Sequence, residues 1–514
     1  MLQSAASGAS HIVALPNEQA TRRLAFDVAA ALEPGDLITL SGDLGAGKTA
    51  FARATIRALA GDPAIEVPSP TFTLLQTYDL PQFTLVHADL YRVAGSSELS
   101  ELGFDDLPAG AVVLLEWPDR AASMLPPNRL DITLTLAPQI GADYRHARIT
   151  GYGSFALRAE RLIGARKFLD ESKFGEAERQ RITGDASTRS YERLTIAGRN
   201  LILMNSPRRP DGPPVRGNKP YSAIAHLAED IKPFIAMAKG LRDRGLSAPE
   251  IFAADLADGY AVLEDLGTEG IVAGDPPAPV EHRYETAVDV LVTLHRQYLP
   301  EVLPVAPHVD HRLPRYDLDA LLIEVELLPD WYLPHRGATL TEAARLEYLR
   351  LWREVLAPVV DQKPTWVLRD FHSPNLLWLP ERRDLAQLGL LDFQDAVMGS
   401  PAYDLASLLQ DARVTVSERT EVQLLDRYMR LRRQADRYAD LAGVTNAYFV
   451  LAAQRASKIL GIFARLDKRD GKPQYLRHIP RIWTYVQRSL MNHPPLATLK
   501  IWFDRHVPPP DRSR

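Results

Sequence analysis

The chain has 514 residues, of which 46% are hydrophobic and 24% charged, so a largely disordered chain is excluded and two or three globular domains are expected. It contains no cysteine, which excludes disulfides, thiolate metal sites and a cysteine nucleophile, and agrees with a cytoplasmic location. Residues 1–155 carry 10 basic and 17 acidic residues, within a net charge of −5 for the whole chain, which argues against a free-standing nucleic-acid binder.

The first 155 residues predict an α/β domain. Residues 12–34 have the pattern of a strand followed by an amphipathic helix, and residues 36–60 that of an apolar strand, a glycine loop and a helix. Short apolar runs at 83–90, 111–117 and 130–137 indicate further strands. Strands that alternate with helices predict one mainly parallel sheet.

The glycine loop reads GDLGAGKT and matches the P-loop pattern G-x-x-x-x-G-K-[ST]. Its glycines let backbone N–H groups surround phosphate oxygens, and the following helix adds its positive end. Lys48 is expected to reach the β- and γ-phosphates of ATP, and Thr49 to ligate Mg²⁺. The predicted nucleotide-binding residues here are Gly42, Asp43, Gly45, Ala46, Gly47, Lys48 and Thr49.

Two carboxylates at strand ends are candidates for the second ligand of a magnesium site. Asp89 lies in the run HADLYR, and Glu116 in the run VVLLEW. A P-loop needs such an acid to hold Mg²⁺ or its water, so the pair is more informative beside a P-loop than either acid alone.

Four motifs in residues 10–152 resemble the bacterial TsaE family, and they occur in the family's order: SGDLGAGKT (41–49), SPTFTL (69–74), HADLYR (87–92) and EWPDR (116–120). The resemblance implies a P-loop ATPase that acts with TsaB and TsaD in forming threonylcarbamoyladenosine 37 of tRNA, and so meets tRNA only indirectly. It implies catalytic roles for Lys48 and Glu116, Mg²⁺ ligation by Thr49, Asp89 and Glu116, and a place for Trp117 near the nucleotide. Asp119 departs from the family's usual glutamate.

A second domain is predicted for residues 156–514. Residues 157–178 are helical in pattern, residues 182–207 predict an antiparallel hairpin, and residues 206–220 predict a mobile loop rich in proline and glycine. Beyond residue 280 the pattern is mostly helical. No run approaches 18 apolar residues and the N-terminus lacks a signal-peptide pattern, so neither a membrane span nor a leader is expected.

The segment VLRDFHSPNLLWL followed by LLDFQDA matches the kinase order D-x-x-x-x-N, apolar strand, D-F-x. Asp370 is the candidate catalytic base for an acceptor hydroxyl. Asn375 and Asp392 are the candidate Mg²⁺ ligands, because hard oxygen donors suit this ion. His372 is expected to orient the loop, and Asp404 to support it through hydrogen bonds.

Upstream signals for nucleotide binding are weaker. Gly184 and Ser187 suit a phosphate-covering hairpin, and VLEDLG, which contains Glu264 and Leu266, suits the hinge between two kinase lobes. For both segments an ordinary turn is an equal alternative. The strand that carries a lysine in typical kinases ends here in Met204-Asn205, which leaves open what neutralises the phosphates.

Residues 160–495 resemble the aminoglycoside-phosphotransferase-like kinases, and among them the AmgK-like anomeric sugar kinases, on the segments GDASTRSY (184–191), LEDLG (263–267) and those around Asp370 and Asp392. The resemblance implies an α+β bilobal protein-kinase-like domain that uses ATP and Mg²⁺. It also implies transfer of phosphate to the anomeric hydroxyl of N-acetylmuramate or N-acetylglucosamine in cell-wall recycling. The alternatives are an aminoglycoside or choline-like acceptor, or a non-catalytic pseudokinase. Lys458, Arg465 and Arg469 either face a muramate carboxylate or form a solvated basic face.

Overall fold

The computed structural model describes residues 10–93, 107–122, 124–182, 189–210 and 212–511. The chain divides into two compact units, one formed by residues 1–207 with 252–265, and the other by 208–251 with 266–514. The predicted nucleotide-binding residues Gly184 and Ser187 lie outside the described residues.

A seven-stranded sheet forms the core of the first unit, in the order β1-β7-β6-β2-β5-β4-β3. The three central contacts, β6 with β2, β2 with β5 and β5 with β4, are parallel, and the outer ones are antiparallel. The elements are β1 Ser10–Leu15, α1 Glu18–Ala31, β2 Leu37–Ser41, α2 Lys48–Ala60, β3 Leu75–Asp79, β4 Thr84–Asp89, β5 Val112–Glu116, β6 Arg129–Leu136 and β7 Arg145–Tyr152. The predicted α/β domain is therefore confirmed.

A smaller five-stranded sheet, in the order β13-β14-β10-β9-β8, belongs to the same unit. Its members and the helix before it are α3 Phe155–Glu171, β8 Glu178–Ile182, β9 Ser190–Ile196, β10 Arg199–Asn205, β13 Ile251–Asp255 and β14 Tyr260–Glu264. The pairs β8–β9, β9–β10 and β10–β14 are antiparallel, as the hairpin pattern predicts.

Helix α3 contributes to two hydrophobic cores. Its first half, with Phe155, Ala159 and Leu162, packs into the core of the seven-stranded sheet. Its second half, with Phe168 and Leu169, packs into the core of the five-stranded sheet. Because each half buries its apolar side chains against a different sheet, the helix holds the two sheets in one compact unit.

A buried ion network joins the same two sheets. Asp27 on α1 is 1% exposed and accepts hydrogen bonds from Nε and Nη2 of Arg166 on α3, at 2.7 and 2.6 Å. Nη1 of Arg179 on β8 lies 3.3 Å from the same carboxylate. Arg179 also donates two hydrogen bonds, of 2.6 and 3.0 Å, to Glu192 on β9. The carboxylates of Asp27 and Glu192 thus face the guanidinium groups of Arg166, which is mostly buried, and Arg179, which is fully buried. The opposite charges offset the free-energy cost of burying each group.

The second unit is mainly helical, as predicted for the chain beyond residue 280. Its helices are α4 Tyr221–Ile224, α5 Lys232–Arg242, α6 Glu281–His295, α7 Leu318–Val325, α8 Leu333–His335, α9 Glu342–Val360, α10 Ala402–Leu409, α11 Glu418–Ala435, α12 Leu441–Asp470, α13 Ile479–Asn492 and α14 Ala497–His506. Its short strands are β11 Pro214–Arg216, β12 Lys219–Pro220, β15 Val272–Ala273, β16 Ala278–Pro279, β17 Val302–Ala306, β18 Val309–Arg312, β19 Thr365–Val367, β20 Leu376–Trp378, β21 Leu388–Leu390 and β22 Val397–Gly399.

One detail differs from the sequence prediction. Within the segment predicted as a loop, β11 pairs with β12 around a turn at Gly217-Asn218, whose two residues have positive φ. Such a turn closes a two-residue hairpin, and glycine followed by asparagine suits it. Among the residues that the structure describes, no helix is both long and apolar enough to cross a membrane.

Candidate active sites

The P-loop lies between β2 and α2 and lines a cavity of about 360 Å³. Gly42 has φ +138°, and a Cβ there would lie 2.3 Å from the carbonyl oxygen of Leu134, so only glycine fits. Gly45 and Gly47 also have positive φ, and Gly47 caps α2. Gly45, Gly47, Lys48 and Thr49 line the cavity, and the N-terminus of α2 therefore lies at it. The predicted residues Asp43 and Ala46 belong to the same loop but not to the lining, and the Ala46 amide donates to the Asp43 carbonyl oxygen at 3.1 Å.

Lys48 points back along the loop. Its Nζ donates hydrogen bonds to the carbonyl oxygens of Gly42 and Asp43, at 2.8 and 3.0 Å, and lies 3.8 Å from the centre of the Trp117 ring. Burial lowers the pKa of Lys48, although Glu116 and Asp89 act in the opposite direction. Lys48 and Trp117 both line the cavity, as expected for residues near a nucleotide.

The two strand-end carboxylates lie side by side because β4 and β5 are parallel and pair Asp89 with Glu116. Oγ1 of Thr49 donates to Glu116 at 3.0 Å, which brings the P-loop and the strand-end acid together. Asp89 accepts hydrogen bonds from Ser69 at 3.2 Å and Thr71 at 2.9 Å, which ties the 69–74 segment to the site. Asp119 lies in the exposed turn after Trp117.

Two residues at this site were missed by the sequence reasoning. His87 is fully buried, and its Nε2 lies 3.0 Å from Glu116. It precedes Asp89 by two positions on β4, so strand alternation places both on one face, which is a usable signal. Arg145 on β7 donates to the carbonyl oxygen of Ala46 at 3.0 Å and supports the loop from a distant strand, for which the sequence carries no local signal.

The kinase-like residues of the second unit lie around the β20–β21 hairpin. Leu376 pairs with Leu390, so Asn375 before β20 and Asp392 after β21 come to the same end. The Leu391 amide donates to the carbonyl oxygen of Asn375 at 2.9 Å. The side-chain amide of Asn375 donates to the carbonyl oxygen of Asp370 at 3.0 Å, which connects the third predicted residue.

The loop that carries Asp370 is held by two buried carboxylates. Asp404 accepts from the amides of Leu368 and Arg369 at 2.7 and 2.9 Å, so its predicted supporting role is confirmed. Burial raises the pKa of Asp404 to about 7, although the hydrogen bonds from the amides of Leu368 and Arg369 act to lower it. Asp411 accepts from the Ser373 amide at 2.8 Å. Arg369 has φ +68°, a left-handed conformation that these bonds help to hold.

Asp370 is 41% exposed at its side chain and stands among basic groups. Burial of its surroundings opposes ionisation, but nearby His372 and Arg455 outweigh it and lower the pKa of Asp370. Nε2 of His372 lies 3.8 Å, and Nη2 of Arg455 3.7 Å, from Oδ1 of Asp370. The carboxylate is therefore ionised at neutral pH and able to accept a proton.

A buried carboxylate, Glu324 on α7, lies behind this loop. It is fully buried and bonded to Arg369, to Lys458 at 2.8 Å, to Tyr316 at 2.6 Å and to Gln454 at 3.0 Å. Burial favours its neutral form, but Lys458 and Arg369 lower the pKa of Glu324 to about 2. The network anchors α12, which carries Lys458, to the loop that carries Asp370.

The remaining predicted residues fall in different places. Glu264 ends β14 in the first unit, where its strand pairs with β10, and Leu266 packs with Leu377 and Leu379 in the second unit. Met204 is buried in β10, and Asn205 accepts a 3.0 Å hydrogen bond from Nε of Arg161 on α3. The position near which typical kinases carry a lysine thus contributes here to packing against α3.

Comparison with known proteins gives one family match in each of the two predicted domains. Residues 15–142 match the family described as threonylcarbamoyl adenosine biosynthesis protein TsaE, and residues 178–444 match the phosphotransferase enzyme family. The chain belongs to the phosphotransferase enzyme family, and a TsaE domain precedes the family's domain. Both resemblances stated from the sequence, the fold class and the prediction that the chain is an enzyme are therefore confirmed.

Curated relatives match either the larger C-terminal part of the chain or the smaller N-terminal part. An N-acetylmuramate/N-acetylglucosamine kinase of Caulobacter vibrioides is 42% identical over 68% of this chain and 98% of its own length. A protein of the same description from Pseudomonas aeruginosa is 32% identical over 62% of this chain and 85% of its own. The tRNA threonylcarbamoyladenosine biosynthesis protein TsaE of Rickettsia felis is 42% identical over 23% of this chain and 70% of its own.

Proposed function

We propose that this chain is a bifunctional cytoplasmic enzyme, with functional domains at residues 1–155 and 156–514. Its phosphotransferase domain transfers the γ-phosphoryl group of ATP to the anomeric hydroxyl of N-acetylmuramate or N-acetylglucosamine. Its TsaE domain hydrolyses ATP in support of threonylcarbamoylation of adenosine 37 in tRNA. The observation that carries the kinase proposal is the ionised Asp370 beside Asn375, on a loop bonded to the turn before Asp392.

In the proposed kinase reaction, Asp370 accepts the proton of the sugar's C1 hydroxyl. The hydroxyl oxygen bonds to the γ-phosphorus, the bond to the β,γ-bridging oxygen breaks, and ADP leaves. Positioning and charge stabilisation supply most of the catalysis in such transfers. The hydrogen bond from Asn375 to the Asp370 carbonyl aligns the loop and leaves the amide oxygen of Asn375 as an acceptor.

Mg²⁺ is part of the proposal at both sites. Among the residues that the structure describes, no cluster of three or more acidic or histidine side chains could hold a metal ion by itself. Proteins usually bind Mg²⁺ through one or two carboxylates together with the substrate's phosphates. Thr49, Asp89 and Glu116 would hold the ion at the P-loop, and Asn375 and Asp392 at the kinase site. When bound, the ion would neutralise the charge that develops on the phosphates.

The kinase proposal is tested by incubating the full chain with ATP and a panel of hydroxyl compounds. We expect phosphorylation of N-acetylmuramate and N-acetylglucosamine, with phosphorus NMR showing the phosphate on C1. Phosphorylation of an aminoglycoside or a choline-like alcohol, with both sugars unreactive, would contradict the sugar assignment. The curated relatives of the phosphotransferase domain favour the sugars.

For the TsaE domain, the proposal rests on the cavity that brings Lys48, Thr49, Asp89 and Glu116 together. Its partners would be TsaB- and TsaD-like proteins, which would supply the transfer chemistry and the contact with tRNA. The acidic balance of residues 1–155 supports action within such a complex, because an acidic domain does not attract RNA by itself.

Replacing Lys48 with alanine should reduce sugar-independent ATP hydrolysis by about 100-fold or more, because it removes the cation that would bind the β- and γ-phosphates. Sugar phosphorylation should stay within twofold, since the kinase site has its own residues. Rates are measured by phosphate release without sugar and by sugar phosphate formation with it. Lys167→Ala, which removes an exposed lysine of α3, is the control. If Lys48→Ala also abolishes sugar phosphorylation, the two sites are coupled and the proposal of independent activities is wrong.

A further inference from the structure

A row of basic residues follows one face of α12 away from Asp370: Arg455, Lys458 and Arg465. Spacings of three and seven residues keep side chains on one helical face. Two of the three are already engaged. Arg455 donates to Ser407 at 2.7 Å and faces Asp370, and Lys458 is bonded to Glu324 and, at 3.2 Å, to Tyr403.

Arg465 has no such partner. Its Nε is buried without a hydrogen bond, and within the described residues no carboxylate lies at ion-pair distance from its guanidinium. The nearby acid Asp470 is bonded to Arg469 at 2.8 and 3.0 Å. The close neighbour of Arg465 is the ring of Tyr221 on α4, at 5.6 Å. Burial lowers the pKa of Arg465, so part of the cost of placing this charge here is uncompensated.

The position of Arg465 points to the acceptor side of the site. Helical side chains lean towards the N-terminus of their helix, so Arg465 extends towards Lys458 and the Asp370 end of α12. Tyr221, the aromatic neighbour of Arg465, lies on α4. The residue after α4, Ala225, accepts a hydrogen bond of 2.8 Å from Arg369, which places this helix beside the loop that carries Asp370. An anion held by Arg465 would therefore lie on the same side of α12 as the catalytic carboxylate.

The two proposed acceptors differ by one charged group. N-acetylmuramate is N-acetylglucosamine with a lactic acid ether on O3, so it carries a carboxylate that N-acetylglucosamine lacks. An arginine guanidinium binds a carboxylate through two parallel hydrogen bonds. A partly buried arginine that has no carboxylate partner within the protein is suited to such a ligand.

We propose that Arg465 binds the lactyl carboxylate of N-acetylmuramate and so determines how well the enzyme takes this sugar relative to N-acetylglucosamine. This inference rests on the proposed sugar kinase function. The charge of Lys458 is neutralised by Glu324. Lys458 therefore anchors α12 and does not bind the carboxylate of the sugar.

The test is the kinetics of Arg465→Gln with both sugars. We expect KM for N-acetylmuramate to rise about 10- to 100-fold, the loss expected for one hydrogen-bonded charged pair, with kcat changed by less than threefold. KM for N-acetylglucosamine should stay within twofold, and the retained activity on this sugar shows that the variant is folded. Arg465→Lys, which keeps the charge but not the planar fork, should give an intermediate KM for N-acetylmuramate.

Arg469→Gln is the matched control, because Arg469 lies one turn further along α12, is exposed and is paired with Asp470. It should leave both KM values unchanged. If Arg465→Gln changes KM equally for the two sugars, or leaves KM for N-acetylmuramate unchanged, Arg465 does not bind the carboxylate. If the wild-type chain phosphorylates neither sugar, the proposed function itself is overturned, which is a separate outcome.

Discussion

Asp370→Asn should lower kcat for sugar phosphorylation by a factor of about 10² to 10⁴, the usual contribution of a positioned general base. The amide cannot accept the hydroxyl proton, yet it has nearly the same shape, so KM for ATP and the melting temperature should change little. Initial rates at saturating ATP and sugar, with thermal unfolding measured on the same samples, give the comparison. ATP hydrolysis by the TsaE domain should be unaffected.

Asp384→Asn is a suitable control for that experiment. Asp384 is exposed in the turn between β20 and β21, and the substitution makes the same change of charge. Its positive φ of 53° is one that asparagine adopts readily. A drop in kcat of less than tenfold in Asp370→Asn would rule out Asp370 as the base. A wholly non-catalytic domain is ruled out if the wild-type chain forms sugar phosphate and Asp370→Asn does not.

Asp27→Ala should destabilise the first unit by about 3–5 kcal/mol, the cost of breaking a buried ion pair by removing one partner. Arg166 and Arg179, whose side chains are 12% and 2% exposed, would keep their charges without this carboxylate. Hydrogen–deuterium exchange resolved by segment is the measurement, since a chain of two units need not unfold in a single step. Protection should fall in α1, α3 and β8 together.

Arg22→Ala tests whether this effect comes from burial. Arg22 on α1 pairs with Glu178 on β8 at 2.8 Å, so it also joins α1 to β8, but the two side chains are 54% and 43% exposed. Exposed pairs contribute at most about 1 kcal/mol, and exchange should change little in this variant. Equal effects of Asp27→Ala and Arg22→Ala would show that the buried network does not hold the sheets together.

The predictions of both sites rest on local patterns in the sequence. The P-loop is eight consecutive residues, and its glycines are required by the backbone of the loop itself. Asp89 and Glu116 were predicted because each lies at the end of an apolar run and a P-loop needs a second acid. The structure adds that their strands are parallel and pair the two residues. The spacing of Asp370, Asn375 and Asp392 is also local. One short hairpin, β20–β21, brings Asn375 and Asp392 to the same end.

What the sequence left open depends on contacts between distant residues. Periodicity shows that α3 has buried faces, but not that two different sheets cover its two halves. Asp27 and Arg166 are 139 residues apart, and Glu324 and Lys458 are 134 apart, so neither pair has a local signal. Arg145 and Arg455 act on the two sites from similarly distant elements. Buried charges of this kind find their partners only once the tertiary fold exists.

The helix shared between two cores also bears on how such a gene can evolve. A descendant that lost its first 155 codons would expose the apolar half of α3 and leave Arg166 without Asp27. Separation into two polypeptides would therefore require compensating substitutions both on the exposed face of α3 and at Arg166. The shared helix therefore makes loss of the fusion less favourable than its retention. We expect lineages that inherit this helix to keep both activities on one polypeptide.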